Sequence, residues 1–144
     1  MNAITIKSEE IQRLYKRVKN VEGYAGKSGY AFFCRAIHDS ILVLEFPWGI
    51  VRVTDFIKGQ SVMIHGLFLN KGILKSMDEI KKNADYVLGL FKINKIMVIV
   101  PAKSKGLARI LDRSCFKKVL PLRDFVYNGI MYEDGDLYEY GGEG

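Results

Sequence analysis

Cysteine, histidine and long apolar runs are all scarce in this chain of 144 residues. The two cysteines, Cys34 and Cys115, lie far apart and make no metal-ligand spacing. They read as reduced thiols of a cytoplasmic protein, with a single disulfide as the alternative. No apolar run approaches the roughly 20 residues that a membrane span needs. The opening "MNAITIKSEE" has neither the apolar core of a signal peptide nor the arginines of a transit peptide. Zinc-finger, RNP and basic-zipper patterns are missing, as are repeats, low-complexity tracts and an interdomain linker. The length suits one domain, residues 1–144, and a hydrophobic share of 49% with 12% aromatics supports a folded core.

Charge is present but uneven. Residues 1–120 hold 21 of the 22 Lys/Arg and 10 of the 16 Asp/Glu, a net of +11. Residues 121–144 hold one Arg and six acids, a net of −5. A basic body favours anionic partners: a nucleotide-like cofactor, a nucleic acid or an acidic protein surface. A solvated surface with a basic bias is the plainer alternative. The basic residues lack the interleaved surface aromatics of a single-strand binder, which makes nucleic acid the weakest of the three.

Periodicity then orders the chain. "SEEIQRLYKRVK" predicts a helix, with Ser8 as N-cap, Glu9 and Glu10 at the positive end, and Ile11, Leu14, Tyr15 and Val18 on one face. A glycine-rich loop, "NVEGYAGKSG", leads into a short second helix, "YAFFCRAIHDS". Three β-rich runs follow, at 41–46, 49–57 and 60–69, split by Pro47-Trp48-Gly49 and Lys58-Gly59. From Asn70 the period changes. Ile73, Met77, Ile80, Ala84, Val87, Leu88 and Phe91 step by three or four, a long amphipathic helix. "KIMVIVP" (95–101) is a short apolar strand of the buried kind, "SKGLARILDRS" a helix, and "CFKKVLPL" a strand. A ribbon with Asn128-Gly129 as its type I′ turn closes the chain. The order is ααβββαβαββ. A right-handed crossover places strand 95–101 parallel to strand 60–69, in a mixed sheet with helices on both faces. A helix that opens straight after a sheet strand, here at Asn70-Lys71-Gly72, turns free N–H groups and its dipole toward an anion.

This order of elements resembles the GNAT acetyltransferase superfamily. "SKGLARILDRSCFKKV" is similar to that family's late helix and strand, and "LRDFVYNGIMYEDGDLYEY" to the closing hairpin of its ribosomal-protein N-terminal acetyltransferase branch. The likeness covers about 35 residues in type and order. It implies acetyl-CoA as cofactor, with its phosphates at the start of the long helix. The family loop there reads Arg or Gln, two residues, Gly, one residue, then Gly or Ala. Here it is Leu69-Asn70-Lys71-Gly72-Ile73-Leu74, followed by Lys75. Gly72 fits the first glycine, Leu69 replaces the Arg/Gln, and Leu74 stands where a small residue admits the diphosphate. Lys71 and Lys75 offer phosphate two point charges. An ordinary strand-to-helix turn is the alternative reading of this loop.

Family bases tend to lie on the strand before that loop, and His65 is in it; neutral imidazole suits proton abstraction. A hydrogen-bonded core histidine is the plainer reading. The resemblance puts Ser104 in the place of a cofactor-contacting Asn, Leu111 in that of a general-acid Tyr, and Cys115 in that of a glycine. Glu45, Asp39 and Asp55 show no pairing and read as solvated charges. Trp48 covers a core edge or lines an acceptor cleft. Tyr127, Tyr132, Tyr138 and Tyr140 divide between core and a partner surface, beside an acidic rim of Asp134, Asp136 and Glu139 through which copies or partners would dock. Two functions follow from the resemblance. One is an acyl-CoA-dependent N-acetyltransferase acting on a protein or small-molecule amine. The other is a GNAT-fold protein without the chemistry, serving as a binding or assembly factor. The second rests on shortness and the degenerate loop, which also resemble the small GNAT-like proteins of tailed phages, some linked to virion assembly.

Overall fold

A computed structural model describes residues 2–3, 8–19, 29–47, 49–68, 77–127 and 131–142. Its elements run β1 (Asn2–Ala3), α1 (Ser8–Val18), α2 (Gly29–His38), β2 (Leu42–Phe46), β3 (Gly49–Ile57), β4 (Ser61–Phe68), α3 (Met77–Phe91), β5 (Lys95–Pro101), α4 (Lys105–Asp112), β6 (Lys117–Tyr127) and β7 (Tyr132–Gly141). This is the expected ααβββαβαββ order with one addition: a two-residue β1 that pairs antiparallel with β2. The strands form one mixed sheet in the order β1-β2-β3-β4-β5-β7-β6. The chain divides into two compact units, one of residues 1–54 and 65–71, the other of residues 55–64 and 72–144. Strands β3 and β4 each pass through both.

The first unit is organised by the apolar stripe of α1. Ile11, Leu14 and Val18 recur every three or four residues, so one face is apolar. They are buried with Phe33 and Ile37 of α2, Val43 of β2 and Ile50 of β3. Tyr15 joins that cluster, its ring 5.1 Å from Tyr30 and 5.6 Å from Phe33. Charge fixes the same helix to β2. The Arg13 and Arg17 guanidinium groups lie 2.7 and 2.6 Å from the Glu45 carboxylate, and Arg17 also donates to the carbonyls of Phe46 and Pro47. Glu45 is therefore not the solvated charge that its isolation in the sequence suggests.

In the second unit, β5 alternates buried Ile96, Val98 and Val100 with half-buried neighbours. It pairs parallel with β4 from Ser61↔Lys95 to Ile64↔Val98, as the crossover rule requires, and antiparallel with β7 from Lys95↔Gly141 to Pro101↔Gly135. Gly135 is needed here for close approach: a Cβ would stand 2.9 Å from the Val100 carbonyl oxygen and 2.9 Å from Val126 Cγ2. Outermost is β6, exposed along almost its whole length on both faces. It carries Pro121 and two register shifts against β7, Lys118/Leu120 and Leu122/Val126. Proline and bulges blunt an edge strand against unwanted pairing. Among the described residues, no helix is long and apolar enough to cross a membrane.

Candidate functional site

Strands β4 and β5 are parallel neighbours in the sheet. The ladder between them covers four residue pairs and ends at Ile64↔Val98, while β5 goes on pairing with β7 as far as Pro101. From Ile99 to Pro101, β5 thus has a strand partner on one edge only, among the described residues. Main-chain groups on an open edge of this kind can pair with an extended, amide-bearing ligand. The candidate phosphate loop, Leu69, Asn70, Lys71, Gly72, Ile73, Leu74 and Lys75, lies outside the described residues. So do Trp48 and the Asn128-Gly129 turn.

His65 follows the last β4 residue in that ladder. It is half-buried, and its Nε2 is 2.9 Å from the Thr54 hydroxyl oxygen. Thr54 sits on β3 and is itself buried at 7% exposure. The next residue, Asp55, has φ +53°, a left-handed backbone that costs a non-glycine residue about 1 kcal/mol or more. A hydrogen-bonded histidine was the plainer reading of this position, and the bond is there. A base also has to be held, so the bond serves both readings.

Ser104 lies between β5 and α4, half-buried, in the N-cap position. Its side chain makes no capping bond; its N–H donates to the Pro101 carbonyl at 2.9 Å and its carbonyl accepts from Ala108 N–H at 3.0 Å. Leu111 is buried at 5% exposure, so the position expected for an acidic tyrosine is part of the core. Burial pushes the Cys115 thiol up, which favours its protonated form near neutral pH. The described residues contain no group of three or more His, Cys, Asp or Glu arranged to hold a metal ion.

The aromatic ribbon divides between core and surface. Tyr138 is fully buried and its hydroxyl donates to Asp112 Oδ1 at 2.8 Å. Tyr140 is half-buried and donates to Asp85 Oδ1 at 2.6 Å, and Asp85 in turn pairs with Lys81 at 3.0 Å. Tyr127 and Tyr132 are exposed and pack against each other, ring centres 5.2 Å apart and planes tilted by 37°. The acids of β7 are engaged within the chain. Glu133 pairs with Lys103, Asp136 with Lys118 and Glu139 with Lys95, and Asp134 accepts the Asp124 N–H. Three of these acids thus have lysine partners within the chain, while Asp134 has a backbone N–H. Thr54 and the Tyr138–Asp112 pair escaped the sequence reading. A threonine in "GIVRVTDFI" is an ordinary strand residue, and neither partner is set by local spacing.

No family model and no curated protein matches the chain in sequence. Solved structures do match in shape. Spermidine N-acetyltransferase from Vibrio cholerae in complex with CoA and spermine superposes with a TM-score of 0.69 at 14% identity, over 97% of this chain and 94% of that one. A GNAT-family acetyltransferase from Bacillus anthracis gives 0.68 at 8% identity, over 96% and 93%. A probable acetyltransferase gives 0.71 at 13% identity, over 96% and 91%. With β4 and β5 parallel and the closing ribbon in place, these likenesses establish that the chain has the GNAT acetyltransferase fold.

Proposed function

We propose that this chain is an N-acetyltransferase that moves an acyl group from acyl-CoA to an amine. The observation that carries the reading is the β5 edge from Ile99 to Pro101, which has no second strand partner among the described residues and suits the amide-bearing arm of CoA. The shared fold supports it, as does the CoA in one similar structure; the spermine there supports an amine as acceptor. Gly72, with Leu69, Asn70, Lys71, Ile73, Leu74 and Lys75, would hold the diphosphate. Lys71 and Lys75 supply charge and Gly72 gives backbone access. Ser104 would stand near the pantetheine arm.

Acetyl-CoA, when bound, supplies an activated acyl carbon. His65 takes a proton from the acceptor amine, directly or through water, so that the nitrogen lone pair is available for attack. The N–C bond forms as the C–S bond breaks. Leu111 has no proton to give, so we assign protonation of the leaving thiolate to water, which regains its proton from the His65 imidazolium.

The second reading is a GNAT-fold binding or assembly factor, for instance in a phage virion, and the bulk of Leu69 and Leu74 in the phosphate loop favours it. Thermal melting with CoA and with acetyl-CoA separates the two. A transferase is stabilised by about 2.7 kcal/mol at 100-fold over Kd. Leu74→Gly tightens binding if that side chain is the obstacle. His65→Ala lowers turnover with CoA affinity unchanged. No shift at millimolar CoA, in wild type or in Leu74→Gly, leaves the assembly factor standing.

A further inference from the structure

We propose that Thr54 is the positioning residue for His65, holding the imidazole with its proton on Nε2 and its lone pair on Nδ1. The proposal rests on the reading of His65 as the base, but its chemistry is tested apart from that reading.

Three observations carry it. The Thr54 hydroxyl oxygen lies 2.9 Å from His65 Nε2, and Thr54 is 7% exposed, so water competes poorly for its hydroxyl. Burial along β3 stops at this point: Val53 and Thr54 are buried, and Asp55, Phe56 and Ile57 are exposed. The backbone turns left-handed at the same place, with φ +53° at Asp55 immediately after Thr54. A left-handed residue that is not glycine persists only where its surroundings over-determine it, and such residues cluster at functional sites. Here the distortion adjoins the residue whose hydroxyl reaches the imidazole.

The bond has two possible senses. If Thr54 donates, the Nε2 lone pair is occupied and the ring proton sits on Nδ1. If Nε2–H donates, Thr54 accepts and Nδ1 carries the lone pair. A histidine that takes up a proton carries N–H on both nitrogens. Only the second sense keeps the Thr54 bond unchanged before and after proton uptake. In the first, the hydroxyl must turn round during each cycle. The balanced step is transfer of one proton from the acceptor amine to Nδ1, with the Nε2–H···Oγ1 bond retained throughout.

His38 and His65 are the only histidines, so imidazole nitrogens are readily assigned by 15N-labelled NMR, with His65→Gln to identify the signals. In the full-length protein at neutral ring charge, the expected spectrum shows His65 with a protected Nε2–H proton and an acceptor-type Nδ1 shift. Thr54→Val exposes that proton to fast exchange and its signal is lost; Thr54→Ser restores it. An acceptor-type Nε2 shift in wild type overturns the proposal, as does an Nε2–H signal that survives in Thr54→Val. Thr54→Ser keeps the test valid should Thr54→Val fold poorly: a shortened hydroxyl side chain that leaves the His65 nitrogens as in wild type supports the bond, and one that abolishes the protected Nε2–H refutes it. Turnover is measured separately on the same variants. Absence of acyl transfer with the Nε2–H signal present counts against the transferase reading alone.

Discussion

Tyr138 shows how much one side chain owes to its surroundings. Its ring is fully buried and its hydroxyl donates to Asp112. Burial, then that bond, pushes the phenol up to about 12 from an ordinary value of 10.0. The folded state therefore holds the proton that the unfolded chain releases first. This stability is complete below about pH 10 and declines as the pH rises toward about 12, by up to about 2–3 kcal/mol. Tyr138→Phe is expected to cost roughly 1–2 kcal/mol at neutral pH, from the lost bond to a carboxylate. It should also flatten the alkaline fall. Urea midpoints at neutral and alkaline pH measure both, and an unchanged alkaline slope would assign the fall to other groups. The sequence placed four tyrosines on the ribbon without saying which faced inward. Tyr138 lies opposite buried Val98 in the β5–β7 ladder, whereas Tyr127 and Tyr132 pair with each other beyond its end at Gly135, a placement no local pattern encodes.

Among elements, α1 was legible almost to the residue because its signal is local: three apolar side chains at helical spacing, with acids at the start. The charges that tie it to β2 were not. Arg13 and Arg17 meet Glu45 across some thirty residues of sequence, and their guanidinium groups, Arg13 foremost, hold the Glu45 carboxyl below its usual range. The sign follows directly. Glu45 contributes stability above the unfolded value of about 4.3 and loses it as the pH falls through the lower folded value. Glu45→Gln should destabilise the protein by on the order of 2 kcal/mol at about pH 7, because Arg13 and the partly buried Arg17 lose their shared carboxylate. At about pH 3 the gap between variant and wild type should be narrower. Denaturation at the two pH values tests this, and a gap of equal size at both would show that the network is packing rather than charge. The edge strand β6 illustrates the opposite case: its β propensity was plain, but the bulges that bend it were not.

At the scale of the molecule, the chain carries a net charge of +6, with +11 of it before residue 121 balanced by −5 after. Several acids of the last strand are paired with lysines at 95, 103 and 118, so charge that looks segregated in sequence is partly interleaved in space. The candidate loop adds Lys71 and Lys75. If these attract the phosphates of CoA as point charges, affinity should fall as salt rises, because screening shortens their reach to a few ångströms near molar ionic strength. Lys71→Ala together with Lys75→Ala should weaken binding at low salt and flatten that dependence. Calorimetric titration of CoA at low and high salt decides it. An equal salt slope in wild type and the double variant would place the phosphates elsewhere.

The order of elements, the parallel crossover and the mixed sheet were determined by the sequence itself. Periods of two and 3.6 residues, together with the handedness of the crossover, leave few alternatives. Resemblance in the last third of the chain pointed to the fold that the solved structures share. Tertiary structure alone decided which polar groups meet: Thr54 with His65, Tyr138 with Asp112, Glu45 with its two arginines. Each of these contacts joins distant segments through side chains whose own sequence neighbourhoods are unremarkable. Local patterns report the face a residue presents, and only the packed chain settles what stands opposite.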